Sequence, residues 1–391
     1  MAGTDFDVIV VGAGLVGTAF ALALQDSGLE AALVERRPPP QAPAGDQWDS
    51  RIYAVSPGSA AFLDRLGIWG GLDRARLAPV YEMRVWGDDG ASRLDFSAYQ
   101  AGVPELACIL ESGLLQRALW CALEEHGQVR LFCPARCAAL QLDEERATLR
   151  LEGGDALTAR LVVGADGADS WVRSQAGLEG EPRPYRQMGV VANFAADRGH
   201  GQIARQWFRS DGVLAWLPLP GDRVSMVWSV WEEQARELLA LPEQELCRRV
   251  AEAGGHALGG LRLITAAAAF PLRLLRLPAL VAPRLALIGD AAHNVHPLAG
   301  QGVNLGFRDA RELARVLGGR GPQRDCGDYL LLRRYERARK EDILALQGVT
   351  DGLQKLFNNR NPLLRPLRNL GLALTNGQPW LKNRLIRQAL G

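Results

Sequence analysis

DVIVVGAGLVGTAFALALQDSG, residues 7–28, is an apolar strand that runs directly into a glycine-rich turn and a helix. The turn carries Gly12, Gly14 and Gly17 in the spacing GxGxxG. In a phosphate-binding turn the first glycine makes the tight turn, the second lets the backbone approach a pyrophosphate, and the third allows close helix–strand packing. The first N–H groups of the helix and its positive dipole end favour the same anionic group. The stretch therefore predicts the start of a Rossmann-like dinucleotide-binding domain.

The residues that follow extend the pattern. Gly28 fits a left-handed helix stop, and Ala31 to Val34 predict a second short strand that ends in Glu35. An acid at this distance from the glycines accepts hydrogen bonds from a ribose hydroxyl in dinucleotide-binding proteins. Arg36, the next residue, is a candidate partner of the adenosine phosphates, with a solvated surface arginine as the alternative. FAD and NAD share this fingerprint, so these residues leave the choice between them open.

Two later motifs repeat a strand that ends in a glycine and an acid. LVVGADGADSWVR, residues 161–173, contains Asp166, and PRLALIGDAAHNVHP, residues 283–297, contains Asp290. Ligands of open α/β sheets lie at the carboxyl ends of the strands, where both acids are placed. Small residues with free N–H groups then precede a helix at Gly300 to Asn304, a good setting for an anionic or carbonyl-bearing ring.

With these motifs the chain resembles the single-component FAD-dependent aromatic hydroxylases, and more narrowly the ubiquinone-biosynthesis hydroxylase family. The run HPLAGQGVNLGFRD, residues 296–309, is the most specific match. The resemblance implies a para-hydroxybenzoate hydroxylase-like fold and FAD as the cofactor. It further implies that Asp290 binds a ribityl hydroxyl and that Gly300 to Asn304 lie along the isoalloxazine. The cofactor-binding residues proposed on these grounds are Gly12, Gly14, Gly17, Glu35, Arg36, Arg51, Gln116, Asp166, Asp290, Pro297, Gly300, Gln301, Gly302, Val303 and Asn304.

Three of these assignments rest on the resemblance alone. In WDSRIYAVS, Arg51 is similar to an arginine near the flavin and pyrophosphate, and in LESGLLQRALW, Gln116 is similar to a flavin-contacting glutamine. Pro297 is similar to a rigid residue whose carbonyl can meet a phenolic substrate. One departure matters, because many relatives have Asn-Arg where this chain has Ser112-Gly113. A role of that arginine in relatives does not transfer to this chain.

The resemblance implies a reaction in which NAD(P)H reduces the flavin and O₂ adds at its C4a carbon, ready to attack an electron-rich ring. A second GxGxxG is missing from the sequence, which indicates that NAD(P)H visits the flavin transiently as a cosubstrate. The expected substrate is the aromatic ring of a hydrophobic polyprenylated phenol. No side chain need act as a nucleophile, so we assign no catalytic residue. Two alternatives stay open, hydroxylation of a soluble aromatic compound and a non-catalytic flavoprotein subunit of a biosynthetic complex.

The motifs predict an interleaved α/β architecture. Residues 1–75, 105–183 and 283–345 are expected to form a discontinuous FAD-binding domain. Residues 76–104 and 184–282 are expected to form a mostly antiparallel substrate domain, because Val224 to Val230 alternate at period two after a Pro220-Gly221-Asp222 turn. A helix is expected from about 242 to 253, and residues 346–391 should form a C-terminal helical segment.

Composition limits the remaining possibilities. A formal net charge of +1 gives no global attraction to nucleic acid, so no nucleic-acid partner is expected. The first strand begins at about residue 6 and no apolar run reaches about 18 residues, which predicts a cytoplasmic protein without a signal peptide or membrane span. Six irregularly spaced cysteines fit a reducing compartment. Neither Cys133 with Cys137 nor His293 with His296 has matching ligands nearby in sequence, so we expect no metal site.

The C-terminal segment has a distinctive charge pattern. After Asp351 the chain has seven basic residues and no acidic ones, and apolar residues alternate with the bases. A basic amphipathic segment of this kind can lie on an anionic bilayer or contact an acidic partner in a ubiquinone-biosynthesis complex. A position peripheral to the inner membrane is therefore one reading. A helical cover over the core with a solvated basic face is the alternative.

Overall fold

The computed structural model describes residues 3–39, 41, 45–180, 182–296 and 300–357, together with 369, 372, 374–378, 380, 382 and 386. Three β-sheets are flanked by helices. The strands are β1 (Phe6–Val11), β2 (Ala31–Val34), β3 (Ile52–Val55), β4 (Ala78–Val80), β5 (Glu82–Trp86), β6 (Arg93–Ser97), β7 (Ala107–Glu111), β8 (Val129–Phe132), β9 (Cys137–Leu142), β10 (Ala147–Leu151), β11 (Ala156–Gly164), β12 (Arg183–Ala196), β13 (Ile203–Arg209), β14 (Gly212–Leu219), β15 (Arg223–Trp231), β16 (Leu261–Leu263), β17 (Ala268–Leu274), β18 (Val281–Ala282) and β19 (Leu285–Leu287).

The α-helices lie between and around these strands. They are α1 (Leu15–Ala23), α2 (Pro57–Arg65), α3 (Ala98–Ala101), α4 (Ser112–His126), α5 (Trp171–Gln175), α6 (Glu232–Ala240), α7 (Glu243–Ala253), α8 (Gly302–Gly318) and α9 (Tyr329–Phe357). No described helix is both long enough and apolar enough to cross a bilayer.

The first sheet has the strand order β18-β19-β11-β1-β2-β8, with β10 and β9 attached beside β11. β1 pairs in parallel with β2 and β11, β2 with β8, and β11 with β19. Parallel strands covered on both faces carry continuous apolar runs, and Val8, Ile9 and Val10 of β1 are fully buried. The predicted strand–turn–helix–strand unit is present, and Gly28 has the left-handed φ of +67° expected of a stop.

The second sheet has the order β16-β12-β15-β14-β13-β5-β6, with β17 also paired to β12. Its pairs are antiparallel apart from β13 with β5. The predicted hairpin is β14–β15, and Val224, Met226 and Trp228 on one of its faces are buried in a core with α6 and α7. The helix expected at about 242 to 253 is α7, which begins after Pro242 and ends before Gly254.

A small third sheet, β3-β7-β4, lies between the two larger ones. Ile109 of β7 packs in one apolar cluster with Ala204 and Leu219 of the second sheet. The predicted fold class, an α/β flavin-hydroxylase fold with an interleaved antiparallel sheet and C-terminal helical residues, is confirmed. The domain boundaries drawn from the sequence stay a prediction.

Candidate functional site

The glycine-rich turn between β1 and α1 shows why each glycine is needed. A Cβ on Gly12, whose φ is +104°, would lie 2.5 Å from the Ala165 carbonyl oxygen, and a Cβ on Gly17 would lie 2.0 Å from the Gly12 oxygen. Both positions therefore require close backbone packing inside the protein. A Cβ on Gly14 would meet no described atom within 4 Å. The turn is open on the side of Gly14, directly before the N-terminus of α1.

Two predicted site residues hold this turn from either side. The backbone N–H of Ala13 donates to Glu35 Oε2 at 2.8 Å, and Gln116 Nε2 donates to the Ala13 oxygen at 2.7 Å. The other oxygen of Glu35 accepts from the N–H of Arg37 at 3.1 Å. The side chains of Glu35 and Gln116 thus meet at Ala13, although 81 residues separate them in sequence.

Asp166 lies in the loop that follows β11. Its carboxylate accepts from the Ser170 hydroxyl and, at 3.0 Å, from the N–H of Val172, so it caps the start of α5. Arg173 in the same helix donates to the Ala168 and Ala291 oxygens, at 3.0 and 2.9 Å. Arg173 therefore ties the loop after β11 to the loop after β19, where the third motif lies.

Asp290 follows Gly289 in that second loop. Its side chain is accessible from the cleft, while protein surrounds it on its other sides. This burial raises the pKa of the Asp290 carboxyl, although His293, Arg51 and Arg273 act in the opposite direction. The two arginines bring positive charge to the cleft from β3's leading loop and from β17.

A buried ionic network supports the same loop. Asp309 of α8 is fully buried, and its Oδ2 accepts from the Gly289 N–H at 3.0 Å and lies 2.6 Å from His293 Nε2. Its Oδ1 accepts from Arg339 Nε of α9 at 2.8 Å. Burial alone would raise the pKa of Asp309, but His293 and Arg339 hold it below its usual range. His293 is therefore a packed hydrogen-bonding residue, and no described group of His, Cys, Asp and Glu has the arrangement of a metal site.

Sequence analysis assigned no role to Asp309 or Arg339. A signal for Asp309 is present, because it falls in the apolar stripe of α8 between Leu305 and Leu313, where an acid needs a buried partner. Its partner Arg339 lies 30 residues further on, and local periodicity carries no information about such a pairing.

The residues from 300 to 304 form the N-terminal end of α8. Gly300 has a φ of +59°, and a Cβ there would lie 3.4 Å from that of Ala54. Gln301 precedes the helix, which begins at Gly302 and continues through the buried Val303. The Asn304 side chain accepts from the Ser56 N–H at 2.9 Å and donates to the Ala54 oxygen at 2.8 Å. The side chain of Asn304 thus fixes the segment after β3 against α8.

The other predicted residues lie around this centre. Arg36 is exposed and lines a surface depression with Phe132 and Arg136 near the ends of β2 and β8. Pro297 lies outside the described residues. The neighbouring His296 is buried, its Nε2 lies 3.3 Å from Gln187 Oε1, and burial lowers its pKa to about 4.

Comparison with known proteins identifies the class to which this arrangement belongs. The sequence profile of the FAD binding domain family matches residues 5–346. The fold and the three loops are therefore those of an FAD-binding protein.

Curated relatives narrow the class. The chain is 37% identical to the 3-demethoxyubiquinol 3-hydroxylase of Escherichia coli (strain K12), over 98% of both proteins. It is 34% identical to the ubiquinone hydroxylase UbiL of Rhodospirillum rubrum, over 98% of this chain and 89% of that protein. It belongs to the ubiquinone-biosynthesis hydroxylase family of FAD-dependent monooxygenases.

Solved structures agree with this fold. The chain resembles Pseudomonas aeruginosa PqsL in complex with 2-aminobenzoylacetate, with a TM-score of 0.77, 27% identity, and coverage of 94% of this chain and 99% of that one. Klebsiella pneumoniae HpxO complexed with FAD has the same fold, with a TM-score of 0.76, 20% identity and 98% coverage of both chains.

Proposed function

We propose that this protein hydroxylates the aromatic ring of a polyprenylated phenol in ubiquinone biosynthesis, using FAD, NAD(P)H and O₂. The observation that carries the proposal is the junction of three loops at one edge of the parallel sheet: the turn at Gly14, the loop at Asp166 and the loop at Asp290. Full-length relatives that are named as ubiquinone hydroxylases support the substrate class.

The described residues fit FAD at this edge. The open side of Gly14 gives a pyrophosphate access to the first N–H groups of α1. Each Glu35 oxygen accepts one N–H group and keeps acceptor capacity for a ribose hydroxyl. Asp290, accessible from the cleft, would accept from a ribityl hydroxyl. These roles are proposals for this chain.

Bound FAD would accept a hydride from NAD(P)H and supply, with O₂, the oxygen atom that enters the ring. The chain's own part is binding and orientation. Gln116 fixes Ala13, Arg173 joins two of the loops, and Asn304 holds the start of α8 against the segment after β3. The backbone from Gly300 to Val303 would then lie along the ring system of the cofactor.

The C-terminal segment supports a more limited proposal about partners. Lys382 Nζ lies 3.2 Å from the Asp95 oxygen, and Asn376 Oδ1 accepts from the Asp95 N–H at 3.0 Å, so described positions of the segment pack on β6. Leu374 and Trp380 are 61% and 65% exposed. We propose that the segment covers the core and turns these two side chains toward a membrane surface. Alanine substitutions at both positions should abolish co-sedimentation with anionic liposomes, and unchanged co-sedimentation would refute this part.

The reaction can be tested in cells that lack this protein. Their lipids are extracted and the quinone precursors identified by mass spectrometry. The proposal predicts accumulation of a prenylated phenol that lacks one hydroxyl group. Normal ubiquinone with no such intermediate would favour a soluble aromatic substrate. If the intermediate accumulates but the purified flavoprotein shows no substrate-stimulated NAD(P)H oxidation, the chain is a non-catalytic subunit.

A further inference from the structure

A buried ion pair joins β7 to the loop that leads into β3. Glu111, the last residue of β7, is fully buried. Its carboxylate accepts two hydrogen bonds from Arg76, at 2.7 Å from Nε and 2.9 Å from Nη2. Burying such a pair gives little net stability, because the loss of hydration offsets the attraction between the charges. The contacts that the pair makes with the rest of the protein therefore indicate its role.

Those contacts all go to one loop. Arg76 Nη1 donates to the Gly45 oxygen at 3.0 Å, and its Nη2 donates to the Gln47 oxygen at 2.7 Å. Glu111 Oε1 accepts from the N–H of Asp49 at 2.6 Å. The planar guanidinium can satisfy a carboxylate and neighbouring carbonyl groups together, which the single ammonium of a lysine cannot do in this geometry. The ion pair thus fixes residues 45–49.

The second sheet holds the loop from the opposite side. The Trp48 ring lies between two guanidinium groups, with its centroid 4.5 Å from Arg76 Cζ and 5.2 Å from Arg223 Cζ. Asn193 of β12 donates to the Asp49 oxygen at 2.8 Å. The loop is therefore clamped between the small third sheet and the second sheet.

Asp49 passes this restraint to Arg51. Its carboxylate accepts from the Arg51 N–H at 2.9 Å and from the Gly113 N–H, at the start of α4, at 3.0 Å. The Arg51 oxygen accepts from the Ser112 N–H at 2.8 Å. Both peptide groups of Arg51 are held, while its side chain is exposed and its Cζ lies 5.4 Å from the centroid of the Tyr53 ring.

We infer that Glu111 is a positioning residue for cofactor binding, which acts through Arg76 and Asp49 to aim Arg51 at the phosphates of FAD. The inference rests on the proposed assignment of Arg51 to the cofactor. The Glu111 carboxylate itself is enclosed by Arg76 and Asp49 and has no part in contacting the ligand. Its effect on the ligand must therefore pass through the loop.

A double-mutant cycle tests this relation. FAD is titrated into the full-length apoprotein, and Kd is measured for wild type, Glu111→Gln, Arg51→Ala and the double variant. Each single change should raise the Kd for FAD about tenfold, the effect of losing one charge-assisted contact. The double variant should match Arg51→Ala within a factor of about two, because residues that act on one contact are not additive. Arg76→Lys should reproduce Glu111→Gln if the glutamine variant folds poorly.

Arg284→Lys is the matched control. Arg284 is an arginine of similar side-chain exposure, 11% against 12% for Arg76, and it also pairs with an acid, Asp325, and with a backbone oxygen, that of Glu144. It should lower the melting temperature without changing the Kd for FAD. Multiplying losses in the double variant, or an equal loss of FAD affinity in Arg284→Lys, would refute the inference alone. Unchanged FAD affinity in Arg51→Ala would refute the assignment of Arg51 and the inference with it.

Discussion

Replacement of Asp309 by alanine should destabilise the protein strongly. The carboxylate is fully buried, and its removal leaves the charge of Arg339, whose side chain is 5% exposed, without its buried partner. It also removes the acceptor of the Gly289 N–H and the partner of His293. Breaking a buried ion pair by deleting one partner costs about 3–5 kcal/mol. That loss is a large share of the ~5–15 kcal/mol that stabilise a typical folded protein.

The assay is urea denaturation of the FAD-loaded protein followed by circular dichroism. Glu312→Ala provides a control on the same helix, because Glu312 pairs with the largely exposed Arg315. This control should change the free energy of unfolding by only about 0.5 kcal/mol. A loss for Asp309→Ala no larger than that of the control would refute the account of the network. Because the pKa of Asp309 is held low, its contribution should be present above about pH 4 and lost as the pH falls further.

Three further results are expected. Gly17→Ala should destabilise the protein itself, since the added Cβ would lie 2.0 Å from the Gly12 oxygen, and an unchanged melting temperature would contradict this packing. Gly14→Ala should keep the melting temperature of the apoprotein but weaken FAD binding in titrations, because only the cofactor would meet the new methyl group; full FAD affinity would argue against a pyrophosphate there. His296, with a pKa lowered from 6.5 to about 4, takes up a proton more readily when unfolded. Stability should therefore fall by up to about 3 kcal/mol between pH 6.5 and pH 4, and His296→Gln should flatten this slope in urea titrations at several pH values. Asp290→Ala should purify without flavin colour, and a fully yellow variant would contradict its assignment.

Local patterns predicted the elements that depend on near neighbours in sequence. The run of β1, α1 and β2 follows from an apolar strand, three glycines and a terminal acid, and β14 and β15 follow from alternation around a turn. The same reasoning placed Gly300 to Asn304 at the start of a helix, where the structure has them.

The supporting contacts of the site could not be predicted in this way. Asn304 binds the N–H of Ser56, 248 residues away in sequence, and Glu111 pairs with Arg76 across 35 residues. Such pairs depend on how sheets meet in three dimensions, and neither periodicity nor turn chemistry encodes them. The sequence also left the C-terminal segment open between a cover and a membrane contact, and the position of Lys382 against Asp95 favours packing for that part of it.

The central claim is that the protein inserts one oxygen atom of O₂ into the ring of a prenylated phenol. The most direct test supplies the purified FAD-loaded protein with NAD(P)H, heavy-isotope O₂ and a ubiquinone-precursor phenol, and analyses the product by mass spectrometry. The account predicts one heavy oxygen atom in the ring of the product, with NAD(P)H oxidation that depends on the phenol. NAD(P)H oxidation without labelled product, or a product whose new oxygen comes from water, would contradict it.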